Sequence, residues 1–273
     1  MAICDVCFHH CDIAEGRYGA CRARKCSDGV IISDNYGMIT SLALDPIEKK
    51  PLKRFFPGSM ILSAGSYGCN LRCPFCQNYE ISASGRDMSE SKYMSPQELA
   101  DTALELNDQG NIGVAFTYNE PLIGWEYVRD TAGIVRNMKM KTVLVSNGSA
   151  SERVADEIIP LIDAMNIDLK VFSEDGYKKL GGDFAQTQHF IEKSAKLSHV
   201  ELTTLIVPGL NIDAEMIKKE ASWIAGIDDE IALHVTRYFP RWKMKEPATD
   251  VDLVYSFADI ARQYLKYVYV GNC

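Results

Sequence analysis

The 273-residue chain has no apolar run approaching the roughly 18 residues that a membrane-spanning helix needs. Its first residues, Met1-Ala2-Ile3-Cys4-Asp5, lack the basic and apolar regions of a signal peptide. Both absences point to a cytoplasmic protein. Positive charge is also in deficit, with 29 Lys and Arg against 37 Asp and Glu for a net charge of -8. Nucleic acid is bound largely by neutralising phosphates, so this balance makes it an unfavoured partner. There is no internal repeat and no low-complexity tract. No Gly-x-Gly-x-x-Gly follows the first candidate strand, which argues against a dinucleotide-binding sheet.

Cysteine, by contrast, is abundant. Nine cysteines in a compartment that keeps thiols reduced point to metal ligation before disulfides. Three stand close together in Gly68-Cys69-Asn70-Leu71-Arg72-Cys73-Pro74-Phe75-Cys76. A cubane iron-sulfur cluster takes four ligands. Three thiolates leave one iron open, as a catalytic metal leaves a position for substrate. A zinc knuckle would need a fourth ligand from elsewhere, and no His follows within fifteen residues. Buried, unligated thiols are the remaining reading.

A second group, Cys4, Cys7, Cys11 and Cys21, is dense enough to be one metal site, for a structural zinc or a second cluster; reduced thiols without metal are the alternative. The apolar segments of Val30–Leu44 read as a hairpin turning near Asp34-Asn35, and Lys49 to Gly58 reads as a connector. The expected division is a Cys-rich N-terminal module with a β-hairpin over 1–57 and a larger domain over 58–273.

Beyond residue 58, short apolar strands alternate with helical stretches, the pattern of parallel strands joined by crossover helices. Strands are expected at Met60–Ala64, Gly113–Thr117, Thr142–Ser146, Ala164–Leu169, Glu201–Val207 and Ile231–Val235, with Tyr267–Val270 at an edge. Helices are expected to begin near Pro96, Gly124, Ser151, Phe184, Asp213 and Asp250. Six units fall short of the roughly 250 residues of an eight-unit barrel. The fold class is therefore α/β, a partial, open (β/α)6 TIM-like barrel, with a flat doubly wound sheet as the alternative.

Ligands of such folds meet the carboxyl ends of the strands. There the sequence offers Asn119 and Glu120 after the second strand, acceptors suited to an ammonium group. Ser146 and Asn147 end the third strand. Asn166, Asp168 and Lys170 alternate onto one face of the fourth. Opposite charges buried together are costly without further partners, and a zwitterionic ligand would satisfy both. His234 and Arg237 lie on the sixth strand. Arg237 is suited to a substrate carboxylate or a backbone carbonyl.

The cysteine loop resembles the signature of radical S-adenosylmethionine (radical SAM) proteins, and residues 60–270 resemble the pyruvate formate-lyase activating enzyme branch. Cys-x2-Cys-x3-Cys with Gly19-x-Cys21-x2-Arg24 looks like the AmmeMemoRadiSam type, although Phe8 stands where Pro is usual. The resemblance implies a [4Fe-4S] cluster on Cys69, Cys73 and Cys76 whose open iron takes the amino and carboxylate groups of S-adenosylmethionine. It places Glu120 and Asn119 in a Gly-Gly-Glu-Pro-like motif at the amino group, with Tyr118 and Asn119 in place of the glycines. It sets Ser146 and Asn147 near the methionine end, Lys170 at the carboxylate, Asp168 at the ribose, His234 at the ribose or adenine, and Phe75 beside adenine. The implied chemistry is reductive cleavage of S-adenosylmethionine to methionine and a 5'-deoxyadenosyl radical that abstracts hydrogen from an unidentified target. An electron donor such as flavodoxin or ferredoxin, and a protein substrate, are implied partners. An activase making a glycyl radical on a partner enzyme and a non-catalytic metal scaffold are the competing functions.

Overall fold

The computed structural model describes all residues, 1–273. Its centre is an eight-stranded sheet: β1 (Ser41–Pro46), β2 (Met60–Gly65), β3 (Asn111–Phe116), β4 (Lys141–Ser146), β5 (Ala164–Asp168), β6 (His199–Ile206), β7 (Ala232–Arg237) and β8 (Val268–Gly271). The strands lie in chain order from β1 to β8, and the two ends do not pair, so the barrel is open. β2 to β8 run parallel; β1 adds antiparallel to β2. Between the parallel strands lie α1 (Pro96–Glu105), α2 (Trp125–Asn137), α3 (Glu152–Ile158), α4 (Phe184–Ser194), α5 (Ala214–Ile227) and α6 (Val251–Ala261), six β/α units closed by β8. Each expected strand and helix start is found. α1 shows why its start was legible: Ser95 accepts from Glu98 N, Glu98 accepts from Ser95 N, and Pro96 occupies a position with no donor to lose.

Register orders the concave face. Thr203 pairs with Asp168 on one side and His234 on the other, and parallel partners share a face, so these three form one row across the sheet. The row beneath it is Asn166, Glu201 and Ala232.

The stretch read as a connector is the floor of the barrel. Ile47 and Leu52 are buried against Ile61, Ala115, Val143 and Ala164. Pro51 O accepts from Asn166 Nδ2 at 2.9 Å, and the Lys53 and Arg54 amides donate to Glu201 at 3.0 and 2.8 Å. This satisfies buried polar groups that would otherwise be costly.

The hairpin lies elsewhere than expected. Arg24–Ser27 pairs antiparallel with Val30–Ser33 across Asp28-Gly29, whose φ values of 53° and 75° suit a two-residue turn of the mirror-image type. Residues 34–35 are not a hairpin turn. Tyr67 donates to Asp34, Asn35 Nδ2 donates to Tyr67 O, and Ser41–Pro46 pairs with β2.

Candidate active site

A cavity of about 620 Å³ opens at the carboxyl ends of the strands, lined by Cys69, Cys73 and Cys76 together with Phe75, Asn119, Glu120, Ser146, Asn147, Asp168, Lys170 and His234. All eleven were singled out by sequence. Of the proposed contacts only Arg237 stays outside: its Nε donates to Thr249 O at 2.7 Å, the backbone-carbonyl role, and its guanidinium lies 4.9 Å from the Phe239 ring.

The cysteine loop is held tightly. Gly68 has φ of 88°, and a Cβ there would stand 2.5 Å from Cys21 O, so no larger residue fits. Cys69 Sγ accepts from Leu71 N at 3.4 Å and lies 3.8 Å from Asn147 Nδ2. Burial pushes the Cys69 thiol well up, reinforced by the Glu120 charge. Burial likewise pushes Cys73 up to about 11, although Lys170 opposes it. Thiolates here need a cation close by.

Glu120 is buried, and burial raises it to about 7 against the pull of Asn147 N, Leu122 N and Ser146 Oγ, which donate at 2.7, 3.0 and 2.8 Å. Asn119 braces the loop instead of pointing a free amide at the cavity: its Oδ1 accepts from Ser66 N, and its Nδ2 donates to the carbonyls of Tyr67, Gly68 and Glu120. Tyr118, where the resembled motif has glycine, adopts φ of 72°. Its ring sits where a Cβ on Gly65 would approach to 2.8 Å, so Gly65 makes its room.

Asp168 and Lys170 form an ion pair of 2.8 Å. Burial works against the Lys170 charge, but Asp168 beside it, with the neighbouring Cys73 and Cys76, outweighs burial and holds the lysine above its ordinary value. His234 Nε2 meets Glu201 Oε2 at 2.6 Å, and its ring stacks on Tyr269 at 5.3 Å. Glu201, a positioning residue that sequence reasoning missed, is wholly buried; burial opposes its ionisation, yet His199, His234 and the Lys53 and Arg54 amides hold it at about 2. A glutamate on the concave face of a strand beside two histidines was the available signal.

Cys4, Cys7 and Cys21 are buried and Cys11 half-buried. Cys11 Sγ accepts from Ala20 N at 3.4 Å, and burial pushes the thiols of Cys4, Cys7 and Cys21 up, Cys7 to about 12, against a weaker pull from nearby backbone amides. Asn70 joins the two cysteine groups. Its side chain faces Cys7 and accepts from Asn147, and its carbonyl lies 2.8 Å from His9 Nε2.

No three His, Cys, Asp or Glu side chains converge on a single metal ion. A cubane does not require this, because four cysteines serve four irons. Three free thiols on a cavity of this size, with a lysine and acceptors beside them, fit a [4Fe-4S] cluster and a bound zwitterion.

A family model described as the radical SAM superfamily matches residues 64–221. An uncharacterized protein of Methanocaldococcus jannaschii is 35% identical over 277 residues, covering 98% of this chain and 80% of its own. The pyruvate formate-lyase-activating enzyme of Clostridium pasteurianum is 28% identical over 170 residues, covering 59% of this chain and 67% of its own. The crystal structure of Streptococcus suis SuiB bound to S-adenosylmethionine superposes with a TM-score of 0.60 at 13% identity, over 76% of this chain and 48% of that one, a likeness of fold.

Proposed function

The chain belongs to the radical SAM superfamily, enzymes that cleave S-adenosylmethionine with a [4Fe-4S] cluster, and we propose that it uses the resulting radical to abstract hydrogen from a target molecule. The observation that carries this reading is the meeting of three thiols, Glu120 and the Asp168–Lys170 pair on one cavity. When bound, the cluster supplies one electron to the sulfonium, releasing methionine and the 5'-deoxyadenosyl radical.

The residues divide the rest of the work. Cys69, Cys73 and Cys76 hold the cluster. Glu120, ionised, accepts from the amino group, with Ser146 and Asn147 fixing its oxygens. Lys170 receives the carboxylate and Asp168 the ribose hydroxyls, exchanging their mutual contact for ligand. His234 is oriented by Glu201 and Tyr269 toward the nucleoside end, where Phe75 offers an apolar face to adenine. After anaerobic reconstitution with iron and sulfide, dithionite should yield 5'-deoxyadenosine from S-adenosylmethionine, and the absence of product would overturn the reading.

Similarity to the pyruvate formate-lyase-activating enzyme supports a second reading, abstraction from a glycine of a partner protein. Deuterium transfer from a labelled partner into 5'-deoxyadenosine distinguishes it from small-molecule chemistry.

We also infer that Cys4, Cys7, Cys11 and Cys21 hold one metal group; because no three of them converge on a single ion, a second cluster fits them better than zinc. The closeness of these sulfurs supports this: burial raises the Cys4, Cys7 and Cys21 thiols, neighbouring cysteines raise them further, and a bound cation would offset both. Metal analysis of a Cys4→Ser/Cys7→Ser/Cys11→Ser variant should show one zinc, or about four irons, fewer than wild type. Unchanged metal content would refute the site.

A further inference from the structure

The cysteine loop has an outer side that the cavity does not use. Leu71, Cys73 and Phe75 line the cavity, whereas the alternate residues Arg72 and Pro74 do not. Arg72 is exposed, its amide donates to Leu180 O at 2.8 Å, and it runs along the turn that follows exposed Lys179. Pro74 O accepts from Lys243 N at 3.0 Å, which holds the 241–244 turn against the loop. On that turn Trp242 stacks on Tyr79 at 5.6 Å and 11°, with Arg241 lying 5.6 Å from the Tyr79 ring and Lys243 4.3 Å from the Trp242 ring. Arg241 and Lys243 are exposed.

The charge of this face is unlike that of the whole. The protein carries -8, and many of its surface cations are paired. Arg72, Lys179, Arg241, Lys243 and Lys245 have no carboxylate within 4.0 Å. Glu80 and Glu246, close in sequence, leave them unpaired. Uncompensated cations on an acidic protein create a local field that steers a partner of opposite sign.

We propose that the face formed by Arg72, Pro74, Arg241, Trp242 and Lys243 docks an acidic one-electron carrier protein. The inference rests on the reading that Cys69, Cys73 and Cys76 hold a cluster, whose electron must come from outside the chain. A carrier on this face needs no access to the cavity, because Pro74 lies directly between Cys73 and Phe75 in the loop. One electron leaves the carrier and one is gained by the group the three cysteines hold, with no bond made and no proton moved. The aromatic pair supplies the apolar centre of the contact and the cations its rim. A basic, aromatic face could also hold RNA. The placement of this one on the back of the cysteine loop, outside the cavity where substrate chemistry occurs, favours the electron carrier.

The test compares two reductants on anaerobically reconstituted protein. With reduced flavodoxin as the probe, wild type should be reduced at a rate that falls steeply with salt. Arg241→Glu/Lys243→Glu and Arg72→Glu should each lower that rate about tenfold at low salt, while saturating dithionite still drives 5'-deoxyadenosine formation within about twofold of wild type; tenfold corresponds to about 1.4 kcal/mol. An unchanged flavodoxin rate, an equal loss with dithionite, or salt-dependent RNA binding lost in the variants while the flavodoxin rate holds would each overturn the proposal. Failure of wild type itself to make 5'-deoxyadenosine with dithionite would instead overturn the enzymatic reading on which it rests.

Discussion

Lys170 Nζ and Asp168 Oδ2 meet at 2.8 Å on the cavity wall, with side chains 18% and 31% exposed, so the pair is sheltered but still open to a ligand. It is a charged couple that a zwitterion can divide without leaving either member alone.

Lys170→Met should therefore weaken binding of S-adenosylmethionine about 10- to 100-fold, the worth of a hydrogen bond to a charged group. Equilibrium dialysis on reconstituted protein reads the dissociation constant. A change under threefold would exclude Lys170 as the carboxylate partner.

Glu120 should govern the pH dependence of S-adenosylmethionine binding. Burial raises it to about 7, so its carboxylate is only partly ionised at neutrality and binding of an amino group should strengthen as pH rises from 6 to 8. Glu120→Gln should bind more weakly and lose that slope. Binding isotherms at several pH values check both effects.

Glu220 on α5 is wholly buried, bonded to Thr204 Oγ1 through Oε1, with no partner for Oε2, and burial lifts it to about 8. Its folded value lies above the usual 4.5, so the stability it confers as a neutral acid is full below about 4.5 and is lost as pH rises through about 8. Glu220→Gln removes that loss, and at pH 9 it should melt higher than wild type by about 5 °C, a gain of ~1–2 kcal/mol. Calorimetry at pH 5 and pH 9 should show the difference only at the higher pH.

Glu201 works in the opposite direction. Held at about 2, it stabilises the fold above the ordinary glutamate value, and that contribution fades as pH falls toward 2. Glu201→Ala leaves the Lys53 and Arg54 amides and two histidines without their acceptor, and should cost ~3–5 kcal/mol, the range for breaking a buried charged network. Denaturant unfolding measures the loss. Glu201→Gln, which keeps the shape, should cost less and still weaken cofactor binding by releasing His234.

The parallel strands and their helices were legible because each is a short apolar run ended by a polar residue, and those endings, from Glu120 to His234, are what the cavity gathers. The floor was not legible, because Ile47 and Leu52 find their partners only across the barrel and local pattern carries no sign of it. The hairpin could have been read correctly: Asp28-Gly29 is a strong two-residue turn signal, but the longer apolar run beyond Asp34-Asn35 drew the strands to the wrong place. Arg237, Glu201 and Asn119 show a further limit. Strand position says which face a side chain shares, but a nearby carbonyl or amide decides whether it serves ligand or fold.

The central claim is that Cys69, Cys73 and Cys76 hold a cluster that cleaves S-adenosylmethionine in this cavity. The most direct measurement is chromatographic quantitation of 5'-deoxyadenosine and methionine after anaerobic reconstitution and addition of dithionite. Equimolar formation of both by wild type, and none by Cys73→Ala, is the predicted result. No product from wild type, or equal product from Cys73→Ala, would contradict it.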